Sequence, residues 1–298
     1  MGIYYSLMEW ESIIKKDGSL YIKKQAWNKY HIPEQEYVSQ HMLPQLKELV
    51  TKYQPALIFA DGEWDREPEY WQSKEFLAWL YNQAPNKNEV IVNDRWQPKR
   101  GEHGGYFTSE YNDQVAKMNA EHPWEENRGM GQSYGFNRAE NIDDHNSSEK
   151  LIQQLIDIVS RGGNLLLNIG PAADGTIPVI MQQRLVDMGD WLHINGEAIY
   201  NTQPWLNQPT QNSTQPENSR YYTSKGKDLY VLCTQWPEKE IELSGIRASK
   251  NTKVQLLGNQ EPVSTKYKKG VLRIQVPLVS RAQLKSKYAY VFKIEDAL

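Results

Sequence analysis

Up to about residue 205 the apolar positions fall into two rhythms that take turns. "GIYYSLMEW" reads as a short buried strand leading into a polar loop. Over residues 34–53, "EQEYVSQHMLPQLKELVTKY", the apolar positions Val38, Met42, Leu46 and Val50 recur at helical spacing and predict an amphipathic helix. "PALIFADG" is a short apolar run bounded by Pro55 and Gly62, a strand buried on both faces. "KEFLAWLYNQA" predicts a second helix, and "NEVIVNDRW" a further strand that runs into polar residues. Residues 101–147, rich in Gly, His, Glu and Asn, read as a long loop region. "SSEKLIQQLIDIVSRGG" opens on a Ser/Glu capping signal and closes on glycine, which marks a helix at both ends. "NLLLNIGPAADG" is a strand with its loop, and "IPVIMQQRLVDMGDWLHING" a helix with a glycine stop.

This strand–helix beat predicts a parallel sheet. Four strands end in polar residues, "YYS", "ADGEWD", "NDRW" and "NIGP". Carboxyl strand ends carry the active site in a (β/α)-barrel and in an open doubly wound sheet alike, so the beat does not choose between them. No glycine-rich phosphate loop follows any strand, which argues against a nucleotide enzyme. The pattern changes after Trp205. "NQPTQNSTQPENS", residues 207–219, is a polar linker or long loop. The short runs "DLYVLCTQW", "KEIELSGI", "KVQLLG", "VLRIQVP" and "YAYVFKIE" then predict an antiparallel β-sandwich. The chain therefore divides into a βα domain over residues 1–205 and an all-β domain over 206–298.

Composition narrows the function. With 34 basic against 37 acidic residues the net charge is −3, which argues against a nucleic-acid or anionic-membrane partner held by bulk charge. Ten Trp and eighteen Tyr stand against five Phe. Such rings, with a flat apolar face and a polar edge, suit sugar rings, although core packing is the commoner use of each one. Cys233 is the only cysteine, so an internal disulfide and a cysteine zinc site are excluded. No window reaches the roughly 18 apolar residues of a membrane span. "MGIYYSLMEW" has neither the basic region nor the small-residue cleavage site of a secretory signal. No compartment is assigned.

Candidate chemistry gathers at "ALIFADGEWD". Asp61 follows an apolar strand directly; it is either a strand-ending turn residue or a partly desolvated catalytic carboxylate. Glycoside hydrolysis needs a second carboxylate across the scissile bond. Glu110 in "YFTSEY" and Glu125 in "HPWEEN" are the candidates, each by itself more readily an ordinary surface glutamate. Arg95 in "NDRW" can donate to sugar hydroxyls or orient a carboxylate, or simply pair with Asp94 or Asp61. His103, His122 and His145 lack zinc-ligand spacing, so no metal site is predicted. "RGGN" and "NIGPAADG" supply tight turns rather than chemistry.

The motifs "FADGEWD", "VIVNDRW", "WEENRGMGQSYGFNR", "GGNLLLNIGPAADGTIP" and "WLHINGEAIYNTQPW", in this order, resemble the α-L-fucosidases of glycoside hydrolase family 29. The resemblance implies a retaining exo-hydrolase of terminal α-L-fucosyl linkages, with no metal or cofactor, a (β/α)8-type barrel and a C-terminal β-sandwich. Its nucleophile falls on Asp61. Its sugar-contacting positions fall on Tyr4, Trp64, Arg95 and Tyr134, and its acid/base on Glu110 or Glu125, with "TSEY" favouring Glu110. Asn127 stands where animal-like members carry a cysteine, so this copy looks microbial. The family's early "HW" and "KHHDG" segments, whose histidines grip the fucose hydroxyls, are absent. The resemblance thus implies a partial barrel over residues 1–205, inactive or nearly so by itself, completed by an N-terminal fragment or within a homo-oligomer. The other reading is a non-catalytic carbohydrate-binding remnant.

Overall fold

The structure, a computed structural model, describes residues 1–9, 13–14, 32–99, 105–111, 122–205, 220–237, 239–280 and 283–298. His103 and the expected linker at 207–219 lie outside the described residues. Two compact units are present, Met1–Thr108 and Ser109–Leu298.

In the first unit β1 (Gly2–Ser6), β4 (Leu57–Asp61) and β5 (Ile91–Val92) form a parallel sheet in the order β1-β4-β5. Between them lie the paired two-residue strands β2 (Ile13–Ile14) and β3 (Ile32–Pro33), then α1 (Glu34–Tyr37) and α2 (Leu43–Tyr53). After β4 come α3 (Pro68–Trp71) and α4 (Ser73–Asn82). The register sets Ser6 beside Asp61 and Ile58 beside Val92, so the strands run in step and β1 and β4 finish together. The helix expected over 34–53 contains a π-turn at Val38–Met42 between α1 and α2. Its cause is Pro44, which has no N–H to donate and whose ring crowds the carbonyl a turn earlier. The apolar stripe survives this: Val38, Met42, Leu46 and Val50 are all buried in one core with Ile58, Phe76 and Trp96.

Residues 101–147 hold more than the expected loop. They contain β6 (Phe107–Glu110) and β7 (Trp124–Gly129), and the next parallel sheet has the order β6-β7-β8, with β8 at Gly163–Asn168. "WEENRG" shows no apolar alternation because its interior positions Glu126 and Asn127 are buried polar groups. Glu126 accepts from Arg128 Nε at 2.6 Å, and Asn127 donates to the Ser109 carbonyl at 2.8 Å. α5 (Ser148–Ser160) begins at Ser147, whose side chain accepts the Lys150 N–H at 3.2 Å, and α6 is Val179–Asn195.

Beyond β8 every strand pairing among the described residues is antiparallel. The strands are β9 (Gln203–Pro204), β10 (Arg220–Lys225), β11 (Asp228–Cys233), β12 (Glu240–Ser244), β13 (Val254–Leu256), β14 (Thr265–Lys268), β15 (Val271–Gln275) and β16 (Tyr290–Ile294). One sheet runs β13-β16-β11-β10-β9, the other β12-β15-β14. β11 is apolar on both faces for a reason. Leu229, Val231 and Cys233 pack with the second sheet, while Tyr230 and Leu232 pack with residues of α5 and α6. The described molecule is thus a set of parallel βα units followed by antiparallel sheets, as the sequence pattern predicts.

Candidate active site

β4 ends on Asp61, and both of its carboxylate oxygens are engaged. Arg95 Nη1 donates to Oδ1 at 2.7 Å and the Tyr4 hydroxyl donates to Oδ2 at 2.7 Å. These partners are held differently. The Arg95 side chain is 2% exposed, whereas Tyr4 is 62% exposed. The guanidinium lies 4.9 Å above the Phe59 ring, and Tyr4 stacks on the same ring at 5.9 Å. Phe59 thereby sets the height of both donors.

Behind this pair lies a buried polar chain. Arg95 Nε donates to Thr108 Oγ1 at 2.9 Å, and that hydroxyl donates to Asp94 Oδ1 at 2.7 Å. The Thr108 backbone N–H reaches the same oxygen at 3.0 Å. Asn93, fully buried, clamps the residue before Asp61: it accepts from Ala60 N at 3.1 Å and donates to Ala60 O at 2.8 Å. A side-chain amide here takes the place of a neighbouring strand's backbone. β5 stops after two residues, and Asn93 extends its work by one more position. Gly62 then turns the chain at φ +79°. A Cβ there would stand 3.1 Å from Met8 Cβ and Ser6 Oγ. Trp64, two residues on, is 44% exposed.

Glu110 is the last residue of β6 and is exposed. The next residue, Tyr111, has φ +51°, and its hydroxyl accepts the Gly129 N–H at 2.8 Å. A side chain larger than glycine at 129 would collide with that hydroxyl. Tyr134 is 37% exposed and meets Tyr111 edge to face at 6.2 Å. Glu125 is the second residue of β7, at the strand's amino end. His122 and His145 lie beside backbone carbonyls of Pro123 and Asn141. Asp61, Tyr4 and Arg95 are therefore brought together within the first unit, and Tyr134 belongs with the segment that follows β7 in the second.

A family model described as alpha-L-fucosidase matches residues 1–197, and one described as alpha-L-fucosidase C-terminal domain matches residues 211–295. The chain belongs to the alpha-L-fucosidase family. It is 39% identical over 299 residues to the tissue alpha-L-fucosidase of Bos taurus, covering 98% of this chain and 60% of that protein. Against the human tissue enzyme it is 38% identical over 300 residues, covering 98% of this chain and 61% of the relative. Among solved structures, a Thermotoga maritima alpha-fucosidase in complex with fucose has a TM-score of 0.68 at 31% identity, over 87% of this chain and 56% of that one. The same enzyme with a mechanism-based inhibitor has a TM-score of 0.70. The chain spans about 60% of the length of the curated relatives it matches. In this member of the family Asp61 and Arg95 were legible from the sequence, while Asn93 and Thr108 were not. Their only signal was membership of the stretches "NDRW" and "FTSE", whose charged residues drew the reading instead.

Proposed function

We propose that the chain carries the nucleophile of a retaining exo-α-L-fucosidase acting on terminal α-L-fucosyl groups of glycoconjugates or polysaccharides. The observation that carries this reading is Asp61 at the end of a parallel strand, with Arg95 on Oδ1 and Tyr4 on Oδ2, each at 2.7 Å. Oδ2 is the attacking oxygen, because its partner is the exposed Tyr4, which can swing aside. The buried Arg95 keeps Oδ1 fixed as the carboxylate becomes an ester. Attack on the anomeric carbon forms the Asp61–sugar bond while the glycosidic oxygen leaves with a proton from the acid/base. That group then deprotonates a water, which displaces Asp61. Glu110 takes this role in preference to Glu125, because it closes its strand, where βα folds keep their chemistry, and Glu125 opens one. A retaining pair stands about 5–5.5 Å apart. Tyr4, Trp64, Arg95 and Tyr134 contact the sugar, and no step calls on a metal or cofactor.

The test is trapping with a 2-fluoro-fucosyl fluoride, followed by peptide mass spectrometry, alongside turnover of an aryl α-L-fucoside. The label is expected on the peptide holding Asp61 and lost in Asp61→Asn; a label on another carboxylate rejects the assignment. Azide should restore turnover of activated substrates to Glu110→Ala and not to Glu125→Ala. The 298 residues by themselves are expected to be slow. Each buried hydrogen-bond donor to the sugar that lies outside these residues would cost about 1–3 kcal/mol. Several together reach on the order of 5 kcal/mol, over a thousandfold in rate. The second reading is a non-catalytic, carbohydrate-binding protein. Saturable fucose binding with neither trapping nor turnover is its signature.

A further inference from the structure

A cavity of about 350 Å³ lies in the second unit where three fixed segments converge. Thr234, Gln235 and Trp236 leave β11; Tyr288 and Tyr290 lead into and open β16; Glu149 stands in the first turn of α5. The volume falls at the small end of the range for ligand sites. None of these residues belongs to the fucosidase motifs around Asp61 or Glu110, so a ligand held in this cavity is independent of the catalytic reading.

The wall has two chemistries. Trp236 and Tyr290 meet edge to face at 4.8 Å and 88°, so neither ring covers the other as in a parallel stack. The strand register places Tyr290 opposite Cys233, which anchors one ring to the sheet. Tyr288 sits at φ +70°, a conformation a bulky side chain rarely adopts. Polar groups complete the lining. Gln235 and Gln153 both donate to Glu149, at 3.5 Å and 3.3 Å, and both bonds fall on Oε1. Among the described residues no hydrogen bond falls on Oε2, which can take a ligand hydroxyl. Among the described residues Glu149 is the one carboxylate on this wall, and no Lys or Arg lines it.

We propose that this cavity is a second, non-catalytic saccharide site that takes a neutral pyranose. The aromatic wall offers a surface for the C–H face of the ring, and Glu149, Gln235 and Thr234 offer partners to its hydroxyl rim. The charge selects among sugars. A sulfated or carboxylated ring would bring its anion against Glu149 with no cation in the described wall to receive it.

The experiment is saturation-transfer NMR and tryptophan fluorescence on the 298-residue protein. The probes are methyl β-D-galactoside, methyl N-acetyl-β-D-glucosaminide, methyl α-L-fucoside and a 6-sulfated galactoside, at millimolar concentrations. At least one neutral glycoside should bind saturably, quench or shift the fluorescence, and bind equally to Asp61→Asn. Glu149→Ala, on the helix surface, should weaken it about tenfold. Trp236→Ala should do the same and abolish the fluorescence change. Because Trp236 also packs on the sheet core, its result counts only with an unchanged near-ultraviolet dichroism, and Glu149→Ala decides otherwise. The sulfated probe should bind about tenfold more weakly than its neutral parent. No saturable binding of any neutral probe, binding insensitive to Glu149→Ala, binding of every neutral probe lost in Asp61→Asn, or preference for the sulfated sugar overturns the proposal.

Discussion

Arg95 reaches Asp61 from a position 34 residues later in the chain, and Thr108 braces Arg95 from 13 residues further on. Because Arg95 is almost fully buried, its charge depends on those partners. Arg95→Met should therefore cost about 2–4 kcal/mol of stability, less than the full penalty of a buried charge because the Asp61 side chain keeps 20% exposure. In a double-mutant cycle of Arg95→Met with Asp61→Asn, urea unfolding should show a coupling of about 1 kcal/mol or more. Additive costs would show that the pair does not hold the strand end. Asp61 and Arg95 were legible in the sequence because charged residues at the end of an apolar run are conspicuous. Asn93 and Thr108 were not: amides and hydroxyls are ordinary in loops, and only the partners brought near by folding give them work. Titration adds a further expectation at this scale. Burial raises the Tyr70 hydroxyl to about 12, raises Tyr230, hydrogen-bonded to Glu197, to about 12, and lifts the Cys233 thiol to about 12. Tyr5 and Tyr37 are raised further by the same cause. A group that holds its proton more tightly folded than unfolded adds stability below its unfolded value and gives it up as the pH climbs past it. Urea midpoints should accordingly fall as the pH rises beyond about 10, with tyrosinate absorbance appearing together with unfolding. Ordinary tyrosine titration in the folded protein would contradict this.

Elements were legible where their periodicity was clean. α5 carries both its capping serine and its apolar stripe, and Leu151, Ile152 and Ile156 are buried as that stripe requires. Ser147→Ala should lower stability by about 1 kcal/mol, since the Lys150 N–H loses its acceptor. β7 was illegible because its interior is polar and satisfied by side chains, and a binary pattern cannot see Glu126 with Arg128 as strand core. The same strand depends on a position that composition does not flag. Gly163 faces Trp124 across the β7–β8 register, and a Cβ there would overlap the indole ring. Gly163→Ala should cost about 1–3 kcal/mol by overpacking, and thermal denaturation with an unchanged midpoint would refute the close approach. The π-turn before α2 was missed for a related reason. Helical spacing records which face is buried, not how the backbone accommodates Pro44 along the way.

For the whole molecule, the sequence pattern separates parallel βα units from antiparallel strands. We keep a division near residue 205 as a proposal about topology, and infer from the packing that it is not a division of folding units. α6 lies before that point and β16 after it, yet Trp191 Nε1 donates to the Ala289 carbonyl at 3.0 Å and Asn195 to Ser286 Oγ at 2.9 Å. Ile152, Ile156, Met188 and Trp191 share one core with Tyr230, Leu232 and Val291. The Thr223 hydroxyl, on β10, donates to the Ala198 carbonyl at 2.7 Å. Each large apolar side chain uncovered costs roughly 1.5–3 kcal/mol, and a domain has only about 5–15 kcal/mol in total. Cutting after Trp205 removes the sheet face from several such side chains at once and leaves the fully buried Trp191 without its carbonyl partner. A protein ending at Trp205 should therefore lack a cooperative thermal transition and bind a hydrophobic dye, while the 298-residue chain unfolds cooperatively. The complementary piece, beginning at Arg220, should behave the same way, because Tyr230, Leu232 and Val291 would face water in place of α5 and α6. A monomeric, dye-silent fragment with a sharp transition on either side would show that the shared core is dispensable and that the boundary in the sequence is also a boundary in folding.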